Sequence, residues 1–273
     1  MLQVAAGVNG PIFASLGKRA GHKDLAIVEV FRSGGDLVGV LACTGNGKAI
    51  DGVEARGIAK RIASLTGSGG IKTRIKTLKG LRADEHADKL MAIVEANAKL
   101  GRMSKPVCIT PSVFLQQDNS DRCFSKAFTV EQGVYMFCLV MFVCSPSVLC
   151  AGLKDDGDVK LRAVDNFTGS GVNEVTVPTE KLKCDALDAL LELISFSCGL
   201  MGDELEMLKA DIDSAFCRVP VKPEHRDLTW VAWRVNEMIM AIARHYGMPF
   251  GAIASVHYWD RIGQSFAHLH FMC

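Results

Sequence analysis

An α+β fold is predicted by three features of the sequence. The 273 residues are 49% hydrophobic and 22% charged, the composition of a chain that buries a core; disordered, collagen-like and coiled-coil classes are excluded. Apolar residues recur at helical spacing through the middle of the chain. Short runs rich in β-branched and aromatic residues, broken by turn signals, fill the C-terminal part.

Taken in order, the spacing predicts a helix over 85–100, with Leu90, Met91, Val94 and Ala98 on one face and Gly101 as its C-terminal cap. Leu187, Leu190, Leu191 and Ile194 make the apolar stripe of a second helix over 185–196. Over 206–213 the period changes. Leu208, Ala210 and Ile212 alternate with Lys209, Asp211 and Asp213, as in a half-buried strand, so the two carboxylates share a face. Two further strands are expected over 228–235 and 238–243, joined at Asn236-Glu237, which gives an antiparallel sheet. After Met248-Pro249-Phe250-Gly251 a helix starts near Ala252 and carries Val256, Trp259, Ile262 and Phe266. Trp230, Trp233 and Trp259 read as core residues at these spacings.

Two segments stand apart. From 134 to 153 there is no charge, a length that could cross a bilayer, but Ser145-Pro146-Ser147 interrupts it and the flanks carry no positive bias. It reads as an insertion foreign to the fold, with a buried strand or helix and a membrane anchor as the alternatives. From 55 to 83 there is no acidic residue, while Arg56, Lys60, Arg61, Lys72, Arg74, Lys76, Lys79 and Arg82 accumulate around Thr66-Gly-Ser-Gly-Gly70, which reads as a linker. That cluster lacks the Gly-Lys-Ser/Thr ending of a phosphate loop. The basic stretch can contact phosphates or simply be a solvated face.

Over the whole chain charge is balanced, 31 basic against 30 acidic residues, so no global field marks a nucleic-acid binder. The ten cysteines form no Cys-x-x-Cys pair and no zinc spacing, as expected of reduced intracellular thiols, cytoplasmic or nuclear. No secretory signal is read at the N-terminus. The five C-terminal histidines, His225 to His270, read as ordinary imidazoles.

Asp211 and Asp213 offer hard oxygen ligands of the kind Mg²⁺ prefers, although a carboxylate pair at this spacing is also an ordinary solvated strand face. The residues around them add a resemblance. Residues 209–223, Lys-Ala-Asp-Ile-Asp-Ser-Ala-Phe-Cys-Arg-Val-Pro-Val-Lys-Pro, followed by Glu224-His225, resemble motif A of retroelement reverse transcriptases. Residues 248–263, opening with Met-Pro-Phe-Gly, resemble motif B. Residues 159–168, Val-Lys-Leu-Arg-Ala-Val-Asp-Asn-Phe-Thr, with Gly171-Val-Asn173, are similar to the fingers motif. The three occur in the family's order. Looser likeness extends to residues 31–39, to 100–107 and to 128–133, where Gly133 would continue into Lys154 once 134–153 is set aside.

The resemblance implies a polymerase-type fingers and partial palm over 104–273, preceded by a mainly helical region over 1–103. It implies RNA-directed DNA polymerase ancestry, with deoxynucleoside triphosphates and an RNA or DNA template-primer as partners and Mg²⁺ as cofactor. Asp211 would be the catalytic metal ligand and Ile212 would offer its main-chain carbonyl to a metal. Lys160 and Arg162 would clamp the triphosphate. Phe216 would be the steric gate beside the sugar, and Phe250-Gly251 the turn against the nascent base pair. An aromatic-x-Asp-Asp motif C is expected downstream of motif B and is not in the sequence; Asp155-Asp156 precede motif A and cannot replace it. The chain is therefore expected to be inactive on its own. The alternative is a non-catalytic nucleic-acid-binding or membrane-anchored protein using 55–83 or 134–153.

Overall fold

The computed structural model describes residues 9–45, 47–52, 57–117, 122–132, 160–182, 187–201, 212 and 214–270. The N-terminal part is mainly helical. It contains α1 (Gly10–Arg19), α2 (Ile27–Ser33), the short strands β1 (Gly39–Val40) and β2 (Lys48–Ala49), then α3 (Ile58–Ala63), α4 (Gly67–Lys79) and α5 (Ala87–Lys99). There follow β3 (Val107–Ile109), α6 (Pro111–Gln117), β4 (Phe124–Gln132), β5 (Lys160–Asn166), β6 (Thr176–Val177), β7 (Glu180–Lys181), α7 (Leu187–Met201), β8 (Trp230–Arg234), β9 (Met240–Arg244) and α8 (Ile253–His270).

Local chemistry accounts for several boundaries. Asn9 caps α1 by accepting from Ile12 N at 3.1 Å, and Pro11 occupies the first turn, where its missing N–H costs nothing. Helix α5 ends at Leu100, and Gly101, at φ +72°, takes the left-handed step that stops it. The expected linker at 66–70 is instead the start of α4. Gly70 is buried, and a Cβ there would fall on the Leu65 carbonyl oxygen, so this glycine serves close packing rather than flexibility.

Among the described residues the main sheet has the order β3-β9-β8-β4-β5. The hairpin expected near Asn236-Glu237 joins β8 to β9, with Trp230 opposite Arg244 and Arg234 opposite Met240. The Asn236 side chain accepts from Met238 N and Ile239 N, which fixes the turn. The sheet is not wholly antiparallel as expected: β4 runs parallel to β8, with Phe124 opposite Trp230. Strand β4 already pairs antiparallel with β5, and the long chain between β5 and β8 supplies the crossover that a parallel neighbour requires. The strand expected over 206–213 and the segment 134–153 lie outside the described residues, Ile212 excepted. Among the described residues no helix is long and apolar enough to cross a membrane.

One hydrophobic cluster draws on both parts of the chain. Ile27, Phe31, Leu37 and Leu90 from the N-terminal part pack with Phe167, Val219, Trp233, Met248 and Ile262 from the C-terminal part. A smaller cluster joins Leu78 of α4 and Phe114 of α6 to Phe124 and Met240 on the sheet. The buried face of α8 is Ala254, Tyr258, Arg261, Ile262 and Ser265; the expected stripe residues Val256 and Phe266 are 43% and 46% exposed. The stripe differs because polar residues of this face find partners inside: Arg261 Nε donates to Asp24 at 2.6 Å, and Ser265 Oγ lies 2.8 Å from His22 Nε2.

Candidate functional site

Three segments far apart in sequence meet where α8 begins. The chain leaving β9 runs beside the chain that follows residue 216: Met248 N donates to Val219 O at 2.7 Å, and Val221 N donates to Tyr246 O at 2.8 Å. Gly247 permits this approach, since a Cβ there would fall on the Cys217 carbonyl oxygen.

The turn at Pro249-Phe250-Gly251 then meets the end of β5. Asp165 N donates to Phe250 O at 3.2 Å. Gly251 has φ +105°, and a Cβ there would fall on the Asp165 carbonyl oxygen, so any side chain is excluded twice, by torsion and by space. Asn173 closes the turn from the other side. Its Nδ2 donates to Gly251 O and its Oδ1 accepts from Ile253 N, both at 3.0 Å, which caps the first turn of α8 with a residue from the loop after β5. Ser255 Oγ donates to Pro249 O at 2.6 Å.

Phe216 sits in a single 3-10 turn, Ala215–Arg218, entered through Ser214 at φ +51°. Its ring centroid is 5.7 Å from that of Phe250 and 6.5 Å, edge-on, from that of Trp259. Phe250 keeps 39% of its surface exposed, so the aromatic pair forms a partly open wall beside the glycine turn. Behind it, His245 Nε2 lies 3.0 Å from Asp165 Oδ2, and both residues are buried.

The N-terminal part braces this corner. Gly34, at φ +93°, and Gly35 lie against Val221 and Lys222; Gly35 N donates to Pro220 O at 2.8 Å and Lys222 N to Gly35 O at 3.0 Å. The next residue, Asp36, pairs with Lys222 Nζ at 2.8 Å, and this hydrogen bond holds the lysine pKa above its usual value. Asp36 N donates to the Tyr258 hydroxyl of α8 at 2.8 Å.

A second braced loop lies on the flank of α8. The buried Glu180 carboxylate accepts from Thr44 N at 2.9 Å, Thr44 Oγ1 at 2.7 Å, Cys43 Sγ at 3.1 Å and Gly45 N. Burial raises its pKa, but the hydrogen bonds outweigh burial and hold it down at about 2. Leu41, Thr44, Gly47 and Glu180 line a small pocket with His257, Asp260 and Arg261.

Compared with known proteins, no family model and no curated protein matches the chain.

Of the residues singled out in the sequence, the fold brings Phe216, Phe250 and Gly251 together and sets them against β5. Arg162 is exposed on β5, three residues before the Asp165 that meets Gly251. Lys160 opens the same strand. Asp211 lies outside the described residues, and Ile212 has an exposed side chain. Asp211 and the Ile212 carbonyl are oxygen donors of the kind Mg²⁺ takes, leaving its remaining positions to phosphate and water. Among the described residues no group of three His, Cys, Asp or Glu side chains could hold a metal.

Sequence reasoning missed the roles of Asn173, Asp165 and Asp36. The Gly-Val-Asn and Gly-Gly-Asp contexts were visible, but nothing local says that an asparagine will cap a helix 80 residues later. In the basic stretch Lys60, Lys72, Lys76 and Lys79 are not buried. Arg74 is an exception, 6% exposed, with Nη1 donating to Arg122 O at 2.9 Å.

Proposed function

We propose that this chain is the fingers-and-palm part of a reverse-transcriptase-like protein that binds a template-primer and a deoxynucleoside triphosphate. The observation that carries the reading is the meeting of β5, the Phe216 turn and Gly251 in one corner, because these belong to the three segments that resemble the family's fingers motif, motif A and motif B. In this reading the Phe216 ring flanks the sugar and opposes a 2′-hydroxyl, while the bare backbone at Gly251 lies flat against the nascent base pair. Arg162, with Lys160, clamps the triphosphate through forked charged donors. Asp211 and the Ile212 carbonyl hold Mg²⁺, which when bound neutralises charge on the transferring phosphoryl group. Asp211 is the one metal carboxylate that the resemblance identifies, so binding rather than extension is the property to measure.

A fluorescent template-primer titrated with the next complementary deoxynucleotide in Mg²⁺ tests the reading. The nucleotide is expected to tighten the complex, and the ribonucleotide to do so less. Phe216→Ala should narrow that difference, and Arg162→Ala should weaken the response about tenfold, the cost of one charged contact. No response to any nucleotide would sink the transfer reading. Nucleic-acid binding without a nucleotide response would favour the second reading, a binding protein, for which the accessible lysines of α3 and α4 speak.

A further inference from the structure

The pairing of β4, β8 and β9 assembles a second constellation that no motif contains. Phe124 pairs with Trp230 and Trp230 with Arg244, so Arg122, just ahead of β4, reaches the same ring. The Arg122 guanidinium stands 4.5 Å and that of Arg244 5.4 Å from the Trp230 ring centre. Arg244 also lies 5.3 Å from the Tyr246 ring, and Arg226 reaches that ring at 5.3 Å. The result is a ladder of three guanidiniums on two rings.

The charge at Arg226 and Arg244 is under-compensated. Among the described residues Asp227 is the carboxylate paired there, 3.5 Å from Arg244 Nη1 and itself 56% exposed, and Glu224 contributes at longer range. Burial, and then the positive charge of Arg244, pull the Arg226 pKa below its usual value, as expected of cations held together without enough counter-charge. Arg226 Nε, Trp230 Nε1 and Arg244 Nε are buried donors with no acceptor among the described residues. Such an arrangement is costly unless an anion shares it.

We infer that the Arg122–Trp230–Arg244–Tyr246–Arg226 ladder is a docking surface for the phosphodiester backbone of a nucleic-acid strand. The inference rests on the reading of this chain as a protein that acts on nucleic acid. Each ring already carries two guanidiniums, so the surface offers charge rather than stacking platforms, and it recognises backbone without regard to base sequence. RNA and DNA strands share that chemistry.

The test is fluorescence anisotropy of labelled single-stranded RNA and DNA oligonucleotides with the full chain in EDTA and without nucleotide, over a range of salt. The combined variant Arg122→Gln, Arg226→Gln, Arg244→Gln should bind more weakly, and its log affinity against log salt should flatten by about 2, near 0.7 for each lost phosphate contact. The combined Arg→Lys variant, which keeps the charge, should retain the wild-type slope. An unchanged slope in the Gln variant would overturn the inference while leaving the proposed function standing. Equal loss in the Gln and Lys variants with lowered melting temperatures would overturn it too, because the ladder would then be structural. Displacement of the oligonucleotide by polyglutamate at equal charge concentration would mark an acidic-protein surface instead. A wild-type chain that binds neither strand would overturn the inference, while a nucleotide response on a template-primer in Mg²⁺ would still be read separately for the proposed function.

Discussion

Within a few residues the chain leaving β9 builds two unlike sites. Arg244 and Tyr246 join the cationic ladder, His245 between them turns to Asp165, and Phe250 and Gly251 form the corner against β5. The corner is made by main chain: a positive φ, carbonyls in contact with glycine, and hydrogen bonds from Asn173 and Asp165. The ladder is made by side chains from three stretches of sequence. Geometry imposed by main chain tolerates almost no substitution, whereas stacked long side chains can rearrange, so the two regions should respond differently to mutation.

The largest effect should come from the middle of α8. Asp24→Asn leaves Arg261 buried without its counter-charge, and breaking such a pair costs about 3–5 kcal/mol. Chemical denaturation should show this loss, and nucleotide response at the corner should fall with it. Next is Gly251→Ala, which combines an unfavourable φ with a clash on Asp165 and should cost about 2–4 kcal/mol by the same measurement. A stable, nucleotide-responsive Gly251→Ala would break the account of the corner.

Glu180→Gln removes a charged acceptor and should cost about 1–3 kcal/mol in thermal melts near neutral pH. The sign with pH follows from a folded pKa of about 2 against an ordinary 4.5: the contribution is present above 4.5 and is lost as pH falls toward 2. Wild-type stability should therefore drop across that window more steeply than that of the variant.

Removal of 134–153 probes the strand that meets the corner. Gln132 pairs with Lys160, so the deletion shortens this connection from 27 residues to 7. Loop-closure entropy then favours the deleted chain by about 1 kcal/mol, read as a higher urea midpoint. A lower midpoint would show that the segment belongs to the fold. The smallest change is expected for Arg244→Gln, under about 1 kcal/mol, because the lost cation–π contacts are offset by relief of repulsion with Arg226. Salt-dependent oligonucleotide binding should register this variant when stability barely does.

Much of the local structure could be read in the sequence. The helix at 87–99, the β8–β9 hairpin with its asparagine turn and the helix after Pro249-Phe250-Gly251 follow from periodicity and from turn chemistry that acts over a few residues. The Thr66–Gly70 stretch misled, because glycines that make a linker flexible also allow a helix to start tightly against Leu65. The buried face of α8 misled in another way: Arg261 and Ser265 look solvent-facing until Asp24 and His22 arrive from the other end of the chain. Nothing local in the sequence singles out Arg122, Arg226 and Arg244, because the rings they share come together only in the fold.

By itself the sequence determined which segments are helix, strand and turn in much of this protein, and which turn must contain a glycine. Those properties depend on torsion preferences and on side-chain period over short distances. Tertiary structure alone decided that β4 runs parallel to β8, that Asn173 caps α8, and that three arginines converge on two rings. These depend on contacts between residues far apart in the chain, as Arg261 and Asp24 are at 237 positions, and no local preference encodes a partner at that distance.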